Sequence, residues 1–198
     1  MQNIRGKSPR PNWLLAIPGR LIMKIWGFRV EGHFPEDPKF VIAAAPHTTN
    51  WDFLLLIGGT GELGIKAYWM GKKELFPKPF GWFVKWLGGI PIDRKSRHNV
   101  VEQAVDVFNR SDYLYLVIPP EGTRSRTEYW KTGFYHIAVK ANVPIVLAAA
   151  DYGNRRILFG PRIEPSGDIQ ADMVQIAAFF EGIVPKYPEK FGPVRVKE

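Results

Sequence analysis

The feature that most constrains the fold is an alternation of short apolar runs with segments that have helical spacing. An apolar run of about four to eight residues between turn residues is typical of a strand buried on both faces. Helical spacing is seen in His98–Arg110, where Val101, Ala104, Val105 and Phe108 recur. Strands that alternate with helices favour an α/β fold with a largely parallel sheet. The predicted strands are Phe40–Ala45, Lys66–Met70, Gly88–Arg94, Asp112–Ile118, Val143–Ala150 and Arg155–Phe159.

The length of 198 residues fits a single domain with a sizeable core. We therefore predict one α/β domain, in which helices flank a mostly parallel mixed sheet. A predicted helix runs from about Asn50 to Ile57, and Gly58, Gly59, Gly61 and Gly64 are expected to loosen its end. The aromatic segment Phe76–Leu87 is interpreted as an ordinary core helix. Its alternatives are a pocket wall and a contact with lipid.

The strand Phe40–Ala45 ends in a polar loop that carries a histidine and, five positions later, an aspartate. Ligand and catalytic sites of open α/β sheets tend to lie at such strand ends. Neighbours on one helix face are three or four positions apart, so a spacing of five is unsuitable there. His47 and Asp52 can therefore pair only if His47 lies in the loop and Asp52 in the first helical turn.

A histidine paired with a carboxylate can act as a general base near neutral pH, because the carboxylate orients the ring and stabilises the imidazolium. No serine or cysteine stands beside His47 in a nucleophile motif, and the chain has no cysteine. The simplest chemistry is then removal of a proton from a substrate hydroxyl. The alternative is a polar loop in which Asp52 or Asn50 only caps a helix.

A second polar loop follows the strand Asp112–Ile118 and combines glycine, hydroxyl groups and guanidinium groups. Glycine lets the backbone approach a ligand closely, and arginine offers a planar fork that fits phosphate. A carboxylate in the same loop can orient the arginines. This composition favours phosphate binding over the alternative of a solvated basic loop. The residues concerned are Glu121, Gly122, Thr123, Arg124, Ser125 and Arg126.

The net charge of +8 favours anionic partners, and seven tryptophans and thirteen phenylalanines favour a membrane interface among them. Nucleic acid is not an expected partner, because the arginines cluster in one loop and not along a helix. Residues 1–30 are predicted to be a basic amphipathic membrane-associating segment, followed by the main domain over 31–198. The alternative for Trp13–Phe28 is a terminal helix packed on the domain. The absence of cysteine excludes thiolate metal sites, and we expect no metal.

Four stretches, in this order, resemble the PlsC-like 1-acylglycerol-3-phosphate acyltransferases of the glycerolipid acyltransferase family. The resemblance extends over about Phe40–Ala150. Two departures are Pro119-Pro120 before the third stretch, where the family has a single proline, and Ala148 in the fourth, where many members have a second proline. The four stretches are His47–Asp52, Gly88–Arg94, Glu121–Ser125 and Val143–Val146.

The resemblance implies that His47 removes the proton from a lysophospholipid hydroxyl while Asp52 orients the ring. It also implies direct attack on an acyl thioester, with no acyl-enzyme. Arg94 and the loop Glu121–Arg124 would hold the acceptor's phosphate. Lys72 resembles a further family lysine near that phosphate.

The implied reaction transfers a fatty acyl group from acyl-CoA or acyl carrier protein to 1-acylglycerol-3-phosphate, which gives phosphatidate. It requires no cofactor beyond the thioester substrate. The implied location is the inner face of the cytoplasmic membrane, as a peripheral protein. Two alternatives stay open: an acyltransferase for another lysolipid, such as an aminolipid, and a non-catalytic basic protein that binds membrane surfaces.

Overall fold

A computed structural model of the chain describes residues 13–93 and 97–197, and the side chains of 16–93 and 100–197. The strands are β1 (Arg29–Gly32), β2 (Lys39–Ala44), β3 (Ala67–Lys72), β4 (Gly89–Ile92), β5 (Leu114–Ile118), β6 (Ile145–Asp151) and β7 (Arg156–Ile163). They form one seven-stranded sheet in the order β1-β7-β6-β2-β5-β3-β4. Within the described residues, β6 and β7 pair antiparallel and all other neighbours pair parallel. The predicted α/β fold with a mostly parallel mixed sheet is therefore confirmed.

Helices cover both faces of this sheet, and the side chains of β2 show how. Phe40 and Ile42 point into one apolar cluster, whereas Val41 and Ala43 point into the other. All four are buried, because successive residues of a strand face opposite sides and each side is covered. The helices are α1 (Trp13–Trp26), α2 (Trp51–Glu62), α3 (Gly81–Trp86), α4 (Arg97–Asn109), α5 (Gly133–Ala141) and α6 (Ile169–Phe180).

Helix α1 packs closely against α2, and glycines make the approach possible. A Cβ on Gly19 would lie 2.8 Å from the Cα of Gly58, so neither helix has room for a side chain there. The expectation that glycines loosen the end of α2 is wrong for Gly58, Gly59 and Gly61, because α2 continues to Glu62 and buries them. Gly64 lies just beyond the helix, with a φ of +72°. Glycine within a helix costs about 1 kcal/mol relative to alanine. Here the close packing of two helices offsets that cost.

The outer side of α1 carries a row of exposed apolar residues, Ile17, Leu21 and Ile25, each more than half exposed. Helix α1 packs on the domain, as the alternative interpretation of Trp13–Phe28 predicted. It also presents an apolar stripe to solvent. The division of the chain at residue 30 stays a prediction. In the described parts of the chain, no helix has the length and apolar character needed to span a bilayer.

Two segments differ from the sequence analysis. Arg29–Gly32 is not among the predicted strands, but it forms the edge strand β1, which pairs only on one side, with β7. The aromatic segment Phe76–Leu87 does not form a core helix: Phe80 is 68% exposed and Trp82 is 67% exposed. Its helix, α3, has only six residues and lies beside the edge strand β4, where nothing covers its outer side in the described structure.

Candidate active site

The parallel arrangement of the central strands brings the two polar loops together. Strand β2 pairs with β5 on one side and with β6 on the other, and all three run in the same direction. The loops that begin at Ala45 and Pro119, and the residues after Asp151, therefore meet at the carboxyl ends of the central strands. Ligand sites of open α/β sheets lie at these strand ends.

His47 lies in the loop after β2, and Asp52 lies in the first turn of α2. The His47 Nδ1 atom is 3.1 Å from Asp52 Oδ2. The geometry matches the one that the five-residue spacing requires. With Nδ1 donating to the carboxylate, Nε2 is the ring nitrogen left to accept a proton. The side chain of His47 is 28% exposed and that of Asp52 only 10%, so the imidazole is accessible while the carboxylate is sheltered.

Asp52 is held by three further hydrogen bonds. Its Oδ2 atom accepts from the backbone N–H groups of Thr48 and Thr49, both at 3.0 Å. Its Oδ1 atom accepts from the hydroxyl of Tyr152 at 2.8 Å. Burial and the nearby Asp52 charge raise the pKa of Tyr152, so its hydroxyl stays protonated and acts as the donor. Four donors thus fix the carboxylate that orients the imidazole.

The capping alternative does not describe this loop. Asn50 precedes α2 but makes no side-chain hydrogen bond to the helix backbone. Asp52 bonds backward to the loop and to the ring of His47, and not to the free N–H groups of the first turn. The carboxylate is therefore directed at the imidazole of His47, in the arrangement that orients a histidine for proton transfer.

Glu121 is hydrogen-bonded to the backbone of the loop that carries His47. Its side chain is buried, and its Oε1 and Oε2 atoms accept from the backbone N–H of His47 at 3.0 and 3.2 Å. Burial raises the pKa of Glu121 to about 7, although the hydrogen bond from His47 acts in the opposite direction. The carboxyl group therefore contacts the loop that carries His47, and its predicted role as a substrate ligand stays a prediction.

Arg124 joins the two loops at their exposed rim. Its guanidinium Nη1 donates to Asn50 Oδ1, next to the start of α2. Gly122 has a φ of +64°, and a Cβ there would lie 2.6 Å from Lys131 Nζ. Lys131 therefore lies over Gly122, close to Arg124 and Thr123 along the same wall. The hydroxyl of Thr123 accepts from Ser125 N at 3.2 Å, which shapes the loop tip.

Two predicted ligands lie farther from this centre or outside the structure. Lys72 is the exposed last residue of β3, which runs parallel to β5, so it also lies at the carboxyl ends of the strands. Among the described residues, Lys72 lines neither of the cavities that meet at His47. Arg94 follows β4 and lies outside the described residues.

His47 stands between two cavities of different character. One is an open cleft of about 1220 Å³ whose wall includes Arg124 and Lys131. The other is an apolar cavity of about 210 Å³ under α2, lined by residues such as Leu55 and Phe159. An imidazole at this boundary can act on a molecule with a charged part and a hydrocarbon part.

Tyr152 is the functional contact that the sequence did not reveal. It lies one hundred positions from Asp52, and it follows the strand β6 as an ordinary tyrosine at a strand end. Only the strand order could have identified it. Strand β6 pairs directly and in parallel with β2, so the residue after β6 lies near the loop after β2.

The Acyltransferase family model matches residues 27–149 of the chain. The chain is 31% identical to the 1-acyl-sn-glycerol-3-phosphate acyltransferase of Haemophilus influenzae, over 72% of this chain and 62% of the relative. It is 33% identical to the enzyme of the same name from Escherichia coli, over 70% of this chain and 60% of the relative. The chain thus spans about three fifths of the length of these curated relatives.

The fold is also similar to a solved structure, the 1-acyl-sn-glycerophosphate (LPA) acyltransferase PlsC from Thermotoga maritima. The TM-score is 0.59 at 20% sequence identity, and the match covers 82% of this chain and 73% of that one. At this identity the similarity concerns the fold alone.

Proposed function

The chain belongs to the Acyltransferase family, and from this premise we propose that it transfers a fatty acyl group from an acyl thioester to the free hydroxyl of a lysophospholipid. The proposed acceptor is 1-acylglycerol-3-phosphate, and the product is phosphatidate. Support for this acceptor comes from the names of the relatives, which are 1-acyl-sn-glycerol-3-phosphate acyltransferases.

The observation that carries the proposal is the His47–Asp52 pair, 3.1 Å apart, at the boundary between an open cleft that carries Arg124 and Lys131 and an apolar cavity. A lysophospholipid has these same two parts, a charged head group and a hydrocarbon chain. Its hydroxyl lies between them. An acceptor bound across the boundary would therefore bring its hydroxyl close to the imidazole.

The proposed reaction begins when Nε2 of His47 takes the proton of the acceptor hydroxyl. The hydroxyl oxygen forms a bond to the thioester carbonyl carbon, and the tetrahedral intermediate then expels the thiolate. The imidazolium returns the proton to the departing sulfur, so the enzyme ends in its starting state. Asp52 stabilises the imidazolium throughout, and Tyr152 with two backbone N–H groups holds Asp52 in position.

The phosphate of the acceptor is proposed to bind at the rim formed by Gly122, Thr123 and Arg124, with Lys72 and Arg94 as further ligands. Guanidinium–phosphate pairs are strong because two parallel hydrogen bonds form between planar groups. Glu121 is also in the predicted ligand set, and its bond to His47 N suggests that it acts by holding the loop. A buried carboxyl with a pKa of about 7 is partly neutral near pH 7, which lessens its repulsion of a phosphate.

The thioester donor is proposed to be acyl-CoA or acyl carrier protein, and the chemistry requires no cofactor or metal. The protein is further proposed to act as a peripheral protein on the inner face of the cytoplasmic membrane. The exposed stripe of α1, with the nearby cations Arg20 and Lys24, supports contact with a membrane surface. The inner face is proposed from the family resemblance alone.

The test is to incubate purified protein with a panel of lysolipids and both donor types, and to measure the diacylated product. We expect phosphatidate from lysophosphatidate, and we expect His47→Ala to abolish it while vesicle binding stays unchanged. Full turnover by His47→Ala would refute the mechanism. If only a lyso-aminolipid gives a diacylated product, that lipid is the acceptor in place of 1-acylglycerol-3-phosphate. No product with any acceptor would favour a protein that only binds membranes.

A further inference from the structure

A compact group of exposed aromatic and aliphatic side chains lies at the edge of the sheet, after β3. Leu75, Phe80, Trp82 and Phe83, here called the α3 patch, are between 45% and 68% exposed. Trp82 and Phe83 contact each other edge to face, with ring centroids 6.0 Å apart, and all four residues lie within nine positions of the chain. Clusters of exposed apolar side chains of this kind mark interaction sites.

The fold maintains this exposure by attaching α3 through its other side. Val84 and Phe76 pack against Gly89 of β4, which has no side chain and lets them approach. Phe83 also stacks on Trp86, with ring centroids 5.5 Å apart. The helix is therefore anchored to the edge strand while its most exposed rings, Phe80 and Trp82, point away from the core.

The charges around the α3 patch indicate what it contacts. Residues 72–86 contain four lysines, Lys72, Lys73, Lys78 and Lys85, against one glutamate, Glu74, and all five are exposed. Aromatic rings among cations suit the interface of a bilayer that contains anionic lipid, where rings settle at head-group level and lysines attract phosphate. A second copy of this chain fits less well, because pairing two such patches would bring their lysines together.

We propose that the α3 patch is a second membrane-contact surface, distinct from helix α1, which inserts Phe80 and Trp82 into the head-group region of an anionic phospholipid bilayer. This inference rests on the proposed function, in which the substrate is a lipid.

Contacts connect the patch to the candidate active site. The residue after α3, Leu87, accepts a hydrogen bond from Trp69 Nε1 at 3.2 Å. Trp69 in turn contacts Phe53 edge to face, with ring centroids 5.9 Å apart. Both of these rings line the apolar cavity that reaches His47. A bilayer in contact with the α3 patch would therefore lie beside the cavity wall.

The absence of cysteine allows a direct test. Trp82→Cys would carry the sole thiol of the chain, to which an environment-sensitive fluorophore is attached. Leu21→Cys reports on α1, and Val174→Cys on α6 is the matched control, since Val174 is 72% exposed. Helix α6 packs in the apolar cluster opposite that of α1, on β6, which three strands separate from β4. The probe is a vesicle of phosphatidylcholine with or without phosphatidylglycerol, and no substrate is present.

We expect the label at position 82 to shift to the blue and brighten with phosphatidylglycerol vesicles, while the label at 174 stays unchanged. A label at 82 that stays in water while the one at 21 inserts would overturn the proposal. A shift at 82 that depends on protein concentration without vesicles would overturn it in favour of self-association. A double change, Phe80→Ser with Trp82→Ser, keeps the test independent of labelling and should lower vesicle affinity by roughly tenfold or more.

Charge is tested separately with Lys78→Gln and Lys85→Gln, which leave Lys72 of the candidate site intact. Each should weaken binding to phosphatidylglycerol vesicles by about fivefold, the factor that corresponds to about 1 kcal/mol per lysine. Unchanged binding in both would contradict the anionic-lipid assignment. Because vesicle binding is measured without substrate or turnover, a failure here differs from a failure of acyl transfer. Turnover of a water-soluble, short-chain acceptor should be unaffected by Phe80→Ser with Trp82→Ser.

Discussion

The buried carboxyl of Glu121 should make the stability of this protein depend on pH in a defined direction. An exposed glutamate has a pKa of 4.5, and burial raises the pKa of Glu121 to about 7 in the folded chain. The folded state therefore binds a proton more tightly than the unfolded state. The contribution of Glu121 to stability is greatest below pH 4.5, where its carboxyl is protonated in both states, and this contribution falls as the pH rises toward 7.

The magnitude follows from the difference between the two pKa values. Each pKa unit corresponds to about 1.36 kcal/mol, so the contribution of Glu121 to this fall is on the order of 3 kcal/mol. Glu121→Gln keeps a side-chain oxygen for the N–H of His47 but cannot ionise. The free energy of unfolding of this variant, relative to wild type, should therefore rise by roughly that amount between pH 4.5 and pH 7.5.

The assay is urea denaturation of both proteins across this pH range, and the quantity compared is the difference between their unfolding free energies. His47→Ala is the control, because Glu121 bonds to the backbone of residue 47 and not to the ring. The pH dependence should persist in that variant. A constant difference between wild type and Glu121→Gln would refute the reasoning, and loss of the dependence in His47→Ala would assign it to the imidazole.

Three further changes test the site and its scaffold. Tyr152→Phe removes one donor from Asp52, so kcat should fall about tenfold while KM changes little. A rise in KM with kcat unchanged would contradict a positioning role. Arg124→Ala should raise KM for a phosphorylated acceptor by about 10–100-fold, the factor for losing a charged hydrogen bond. An equal rise in KM for a phosphate-free acceptor would argue against phosphate binding. Gly58→Ala should lower stability in thermal unfolding by about 1–3 kcal/mol, because its Cβ would lie 2.8 Å from a backbone oxygen of α1. Gly133→Ala is its control, since a Cβ there meets nothing within 4 Å, and equal losses in both would refute the packing argument.

The local sequence pattern was sufficient to predict those parts of the structure that depend only on residues close together in the chain. The run Phe40–Ala45 indicated a strand covered on both faces, and a buried strand must end where polar residues begin. The five-residue spacing of His47 and Asp52 required the turn in which they are found. These inferences hold because strand and helix geometry is nearly constant over such short distances.

Other predictions failed where the outcome depended on what lies next to a segment. The glycines of α2 and the aromatic residues of α3 have compositions that fit several environments. Helix α1 determines that Gly58 is a packing surface, and the position beside the edge strand β4 leaves Trp82 exposed. Neither neighbour is visible in the local pattern.

The remaining features needed the folded chain, because their partners are distant in sequence. Glu121 and Arg124 each bond across 74 positions, to His47 and to Asn50, and Tyr152 bonds to Asp52 across 100. Strand order decides such meetings: β5 and β6 flank β2, so the ends of all three come together. Residue type indicated which chemistry was available, whereas the sheet determined which groups could reach one another.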